Sequence, residues 1–251
     1  MCKTKLTLII LFIISTGFSY LTAQTKQTNL EMVNATQTGN WRIALSGGLG
    51  YLTGSTSDEK EALIQQGFAS ADIDSYIKQL KTGSQFSGQV HYMFWPNLGL
   101  GIDYNFYTSS GNLAGYVDPG DMATYVYAEV EEKVITNYAG LSLFSQSWLK
   151  SDKIRFYSQV SFGLTMYREE LIFAYSPLLF TGKAFGGNAE LGVEYFIHRN
   201  IALGANFTLF QSTITKIDMD NGSSTQEVKL EDEQRLSLTR LNTGIGLRFY
   251  F

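Results

Sequence analysis

Seven charged residues fall in stretches that alternate between apolar and polar positions: Arg42, Asp103, Arg155, Glu190, Glu194, Arg240 and Arg248. Each sits on the polar side of its alternation. Four guanidinium groups and three carboxylates gathered on one kind of face suit two roles. They can line a water-filled passage, or pair with one another and plug a narrow interior. Other chemistry is sparsely represented. The two histidines, His91 and His198, are far apart in the chain and too few for a zinc site. His91 shares the polar face with Gln89, and no serine partner is signalled, so it reads as a hydrogen-bonding histidine of an interior. "DMDNG" at 218–222 shares some acidic positions with a calcium loop but lacks the third acidic position and the later glutamate. Asn221-Gly222 is instead a good hairpin turn. The sequence therefore nominates no catalytic, cofactor-binding or metal-binding residues.

Eight segments carry the alternation. "WRIALSGGLGYL" (41–52) sets Trp41, Ile43, Leu45, Leu49 and Tyr51 against Arg42, Ala44, Ser46, Gly48 and Gly50. The same scheme recurs at 86–95, 98–107, 154–167, 184–197, 201–210 and in the closing "NTGIGLRFYF". It is less clean at 134–148, where Ala139, Leu141 and Leu143 form the expected apolar face. The connections alternate between short (95–97, 149–153, 198–200) and long (53–83, 110–132, 168–183, 212–235). That rhythm predicts an up-and-down barrel of eight antiparallel strands, with the short turns at the end that carries both termini.

Periodicity alone does not say which face meets solvent. Three features point to lipid outside. The polar face is rich in glycine, which suits a crowded small interior. Aromatics stand near the ends of the apolar face (Trp41, Phe94, Phe106, Phe249, Phe251), as in a membrane-interface girdle. The strands carry almost no lysine, which a soluble exterior would show. At the N-terminus, Lys3 and Lys5 precede an apolar run from Leu6 to Ile14 and then small and polar residues, which predicts a secretory signal peptide over 1–23. The run is shorter than the roughly 20 residues of a spanning helix. Cys2 precedes that run, so cleavage leaves a mature chain without cysteine and no reliance on disulfides. Residues 24–40 are polar and read as a flexible lead-in to a barrel domain over 41–251. A net charge of −4 argues against a nucleic-acid-binding surface.

The signal peptide, the eight alternating strands, the loop rhythm and the terminal "IGLRFYF" together resemble the small outer-membrane β-barrels of the OmpA/OmpX-like family of Gram-negative bacteria. The resemblance covers roughly 41–251. It implies residence in the outer membrane, contact with outer-membrane lipid, and a last strand whose terminal Phe and preceding alternate apolar residues are read by the outer-membrane insertion machinery. Ile245, Leu247, Phe249 and Phe251 match that assembly signal.

The first long loop changes period. In 57–83 the spacing predicts two helices, one capped by Ser57 or Asp58 and ended by Gly67, the other capped by Ser70. Ile73, Tyr76, Ile77 and Leu80 form one stripe of the second. The third loop offers an apolar partner, "LIFAYSPLLF" at 171–180. The expectation is an extracellular lid in which Ile73, Ile77 and Leu80 pack on Leu171, Phe173, Leu178 and Phe180. The alternatives are that 171–180 lies along lipid, or that a groove for a hydrophobic ligand runs between the two. The expected function is a non-enzymatic, porin-like but plugged envelope protein with a structural or surface-binding role, whose surface partner the residues do not identify. Binding or passage of small hydrophobic molecules, and lipid modification, are the alternatives. An eight-stranded interior is just filled by side chains, which favours the plug. The strands beside the second and fourth long loops outrun the ~9–11 residues of one crossing, so charged hairpins are expected above the membrane.

Overall fold

The computed structural model describes residues 40–54, 56–117, 126–149, 153–173, 176–232 and 234–251. The signal peptide and the lead-in expected over 1–40 lie outside these residues except for Asn40.

Eight long strands form the barrel: β1 (Trp41–Leu52), β2 (Thr82–Trp95), β3 (Leu98–Val117), β4 (Val126–Trp148), β5 (Ile154–Phe173), β6 (Ser176–His198), β7 (Ile201–Ile214) and, after three short strands, β11 (Arg240–Tyr250). Each pairs antiparallel with its neighbour in this series, and β11 closes the ring between β7 and β1. Following paired residues once round the ring from Arg42, through His91, Gly101, Ser142, Ser161, Asn188, Phe210 and Arg240, returns to Leu52, ten residues further along β1. A ten-residue stagger over eight strands tilts them by roughly 40° from the barrel axis.

Because side chains alternate across a strand, the period-two pattern becomes two surfaces. Outside stand Leu45, Leu49, Val90, Leu100, Ile102, Leu141, Phe162, Leu191, Phe207 and Ile245, all exposed. An exposed apolar belt of this extent needs a lipid solvent. Its short-turn rim carries Trp41, Tyr92, Phe94, Trp95 and Tyr195, and Trp41 meets Tyr92 edge to face.

Two of the connections read as long loops, 110–132 and 168–183, are in fact largely strand. β3 and β4 stay paired up to Val117↔Val126, and β5 and β6 up to Phe173↔Ser176. Twenty or more residues in each of these strands carry the sheet well past a single crossing. A hairpin of β8 (Lys216–Asp220) and β9 (Thr225–Lys229) extends it by pairing with β6, and β10 (Leu236–Ser237) pairs with β7. The turn between β8 and β9 is the Asn221-Gly222 turn. Asp220 Oδ1 accepts from Gly222 N at 2.8 Å, and Asn221 Oδ1 accepts from Ser224 N at 2.9 Å.

Two helices, α1 (Ser57–Gln65) and α2 (Ser70–Lys81), occupy the first long connection. Gly67 follows α1 with φ 96°. α2 starts after Ala69 in extended geometry, with no side-chain cap bond, so Ser70 is its first residue rather than its cap. Helices of nine and twelve residues are marginal alone; packing holds them. Ile73, Tyr76, Ile77 and Leu80 are buried with Phe68 against Leu113, Ala128 and Val130 of the β3–β4 hairpin. Gly111 permits this approach, since a Cβ there would stand 2.9 Å from Leu80 Cγ. No helix among the described residues is long and apolar enough to cross a membrane.

Candidate functional site

The barrel interior is where the seven charged residues meet: Arg42, Asp103, Arg155, Glu190, Glu194, Arg240 and Arg248 are all buried there. At the short-turn end, the Arg155 guanidinium lies over the rings of Trp148, Phe196 and Tyr250, 4.0, 4.5 and 4.8 Å from their centroids. Its Nη1 donates to Gln146 Oε1 at 2.7 Å. In the middle, Arg42 Nη2 pairs with Glu194 Oε1 at 2.8 Å, and Tyr250 OH donates to the other Glu194 oxygen. Arg42 Nη1 donates to Gln89 Oε1 at 3.1 Å, and Gln89 Nε2 passes the chain to Glu190 Oε2 at 3.0 Å. Tyr157 OH donates to Glu190 Oε1 at 2.7 Å and accepts from Arg248 Nη2 at 3.0 Å. Further up, Asp103 Oδ2 accepts from Ser161 Oγ at 2.7 Å and Asn188 Nδ2 at 2.8 Å.

The charges are together, but their partners differ from simple arginine–carboxylate pairing. Of the three carboxylates Asp103, Glu190 and Glu194, it is Glu194 that takes ion pairs, from Arg42 and, at 3.9 Å, from Arg248. Asp103 and Glu190 are held by hydroxyl and amide donors, and Arg155 and Arg240 by aromatic faces. The physical reason is height. The stagger lifts each strand relative to the next, so a side chain reaches only what stands at its own level. Glu190 accepts on both oxygens, whereas Asp103 accepts on Oδ2 alone and its Oδ1 has no partner among the described residues; neutral donors offset part of a buried carboxylate's lost hydration.

Above this network lies an apolar layer of Val134, Tyr138, Tyr167, Phe210, Ile214 and Leu238. The pattern at 134–148 was uneven because Tyr138 and Phe144 point inward; counting by two from Ser142 would have placed both. Phe144 stacks on Tyr157 and meets the His91 ring at a tilt, with the Arg42 guanidinium 4.2 Å from its centroid.

His91 does have a serine partner, Ser142, with Nε2 and Oγ 2.8 Å apart. On its other side, Arg42 Nη1 stands 3.4 Å from Nδ1. A guanidinium only donates, so Nδ1 is the acceptor and Nε2 carries the proton toward the serine. A general base for serine needs the reverse arrangement, and both residues are buried. His198 is exposed at a turn. Among the described residues, no group of three or more His, Cys, Asp or Glu is placed to hold a metal ion.

Of the expected lid residues, Ile73, Ile77 and Leu80 pack as a unit, and Leu171 reaches the edge of their cluster. Their main partner is the β3–β4 hairpin rather than 171–180. Leu178 and Phe180 are half-buried on β6 outside that cluster, and the Phe173 side chain lies outside the described residues. A groove of about 460 Å³ beside α2 is lined by Gln79, Asn112, Glu131, Lys133 and Glu170 with Ile172. On β11, Ile245 and Leu247 are exposed on the outer face, Phe249 is half-buried there, and Phe251 is exposed just beyond the strand.

Residues 43–249 match a family described as "Outer membrane protein beta-barrel domain". Among solved structures, Neisserial surface protein A is similar over 84% of this chain and 97% of its own, with 15% identity and a TM-score of 0.45. A major outer membrane protein from Thermus thermophilus is similar over 84% and 99%, with 10% identity and a TM-score of 0.49. The outer membrane protease OmpT from Escherichia coli is similar over 84% and 97%, with 10% identity and a TM-score of 0.43. No curated protein matches the sequence.

Proposed function

The chain belongs to the family of outer membrane proteins built on a β-barrel domain, and from that premise we propose that it is a non-conducting, non-enzymatic barrel that anchors a rigid platform at the cell surface. In this reading the short turns face the periplasm and the extended β3–β6 sheet, α1–α2 and the β8–β9 hairpin stand outside. The observation that supports it is the filled interior. Side chains from every barrel strand occupy the lumen, from Gln146 near the short turns to Leu238 near the long connections, and nearly all are buried. The α1–α2 cluster then covers the inner face of the hairpin above. Binding of a surface partner falls to the outer faces of the extended hairpins, where Glu129, Glu131, Lys133 and Arg168 are exposed.

Planar-bilayer recordings of the pure protein test the sealed lumen. The expected trace is flat at moderate voltage; reproducible conductance steps would overturn the proposal. The assembly role of the last strand is tested separately. Deleting Phe251 lowers the folded, heat-modifiable fraction in the outer membrane several-fold, while the same deletion leaves refolding in detergent intact. Equal amounts of folded wild type and variant in cells would remove Phe251 from the assembly signal.

A further inference from the structure

The four lumenal arginines are not equally placed. Arg42 and Arg248 share Glu194, and Arg155 sits one layer below it among three rings and Gln146. Arg240 has no carboxylate within ion-pair distance among the described residues, although it is fully buried. Of the four, Arg240 is the arginine that stands apart from the carboxylates.

The hydrogen bonds around Arg240 have a fixed direction. Its Nη2 donates to Asn105 Oδ1 at 2.5 Å, since a guanidinium can do nothing else. That orients the Asn105 amide, whose Nδ2 donates to Gln85 Oε1 at 2.9 Å. Gln85 is then oriented in turn, and its Nε2 has no acceptor. Neither do Nε and Nη1 of Arg240, nor the amide of Asn242, two residues along the same face of β11. The relay thus starts at a cation and ends at Gln85 Nε2; of the unpartnered atoms on Gln85, Arg240 and Asn242, four are donors and one, Asn242 Oδ1, is a neutral acceptor. Phe210 and Tyr107 cover the guanidinium at 3.8 and 4.8 Å. Ring faces attract a cation but leave its charge in place. A lipid-embedded barrel is a poor medium for an uncompensated charge.

We infer that the upper lumen binds one small monoanion, a halide or an ion of similar size, on Arg240 with the Gln85 and Asn242 amides as the remaining donors. The ion is enclosed as the barrel closes, so it acts as a structural counterion.

The test refolds the full chain into detergent in sodium bromide, chloride or gluconate at one sodium concentration, and reads the temperature at which the heat-modifiable folded band is lost. Gluconate is too bulky for the site. The expected result is a melting temperature several degrees higher in bromide and chloride than in gluconate for the wild type, and no such difference in Arg240→Met. Asn242→Asp, which supplies an internal carboxylate at nearly constant size, also loses the difference while staying folded. Bromide-grown crystals of the wild type show an anomalous peak in contact with the Arg240 guanidinium, a readout that does not depend on any variant folding. Equal melting in all three salts, a salt difference that persists in Asn242→Asp, or no bromide peak at Arg240 would each overturn the inference.

Discussion

Two regions of the same strands obey opposite rules. Low on β3, β4 and β5 the outward residues are apolar (Leu100, Ile102, Leu141, Leu143, Phe162, Leu164) and the inward ones polar (Asp103, Asn105, Ser142, Gln146, Gln159, Ser161). Higher on the same strands the faces exchange character. Asn112, Glu129, Glu131, Lys133 and Arg168 point out, while Leu113, Ala128 and Val130 are buried beneath α2. Backbone pairing is continuous through the change. Strand geometry therefore does not decide which face is greasy; the surrounding medium does. In the proposed reading, lipid is the outer solvent below, where the interior holds a polar network. In the same reading, water is outside above, where the hairpin has an apolar core of its own that the inserted helices complete.

The sharpest way to break the lower region is Glu194→Ala. It leaves Arg42 buried without its partner, removes the acceptor of Tyr250 OH, and costs about 3–5 kcal/mol. Urea unfolding in lipid vesicles reads this as a loss of midpoint; an unchanged midpoint would mean the pair does not hold the lumen. Next comes a charge on the belt. Leu141→Arg, at a site 70% exposed to the outside, costs about 2–4 kcal/mol when that outside is lipid. Glu131→Arg, on the same face of the same strand but higher up, stays within about 0.5 kcal/mol because it meets water. Equal costs at the two positions would erase the proposed boundary. The upper region is loosened by Ile73→Ala, which opens a cavity under α2 worth about 2–4 kcal/mol. Its expected effect is local: protease trims the 53–81 connection faster, while the barrel's urea midpoint does not move.

Period two made much of this legible. It located the eight strands and grouped on one face seven charged residues that are all buried, because alternation is a local property of extended backbone. It did not tell who meets whom inside. The partner of Arg42 is Glu194 across the barrel, and that depends on a ten-residue stagger accumulated around the whole ring. The overrun of β4 was legible in the sequence, but the lengths of β5 and β6 were harder to see. The alternation persists through 110–117 and 126–132, but its apolar face switches sides, and a pattern that changes phase looks like a loop when one face is expected to stay apolar. The stripe on α2 was plain from its spacing, and its need for a partner followed. The partner was harder to name, because Leu113, Ala128 and Val130 are isolated apolar residues among polar and charged ones, whereas 171–180 is a conspicuous apolar run.

The exchange of faces along β4 is tested most directly by spin labels placed one at a time on its outer face at positions 129, 131, 133, 135, 139, 141 and 143 in lipid vesicles. Oxygen partitions into lipid and a nickel chelate into water, so their relaxation effects report the medium at each site. Labels at 129–133 should be accessible to nickel and labels at 139–143 to oxygen, with the crossover between Ile135 and Ala139. Uniform nickel accessibility along all seven positions would contradict a lipid-facing lower barrel and a water-facing upper sheet.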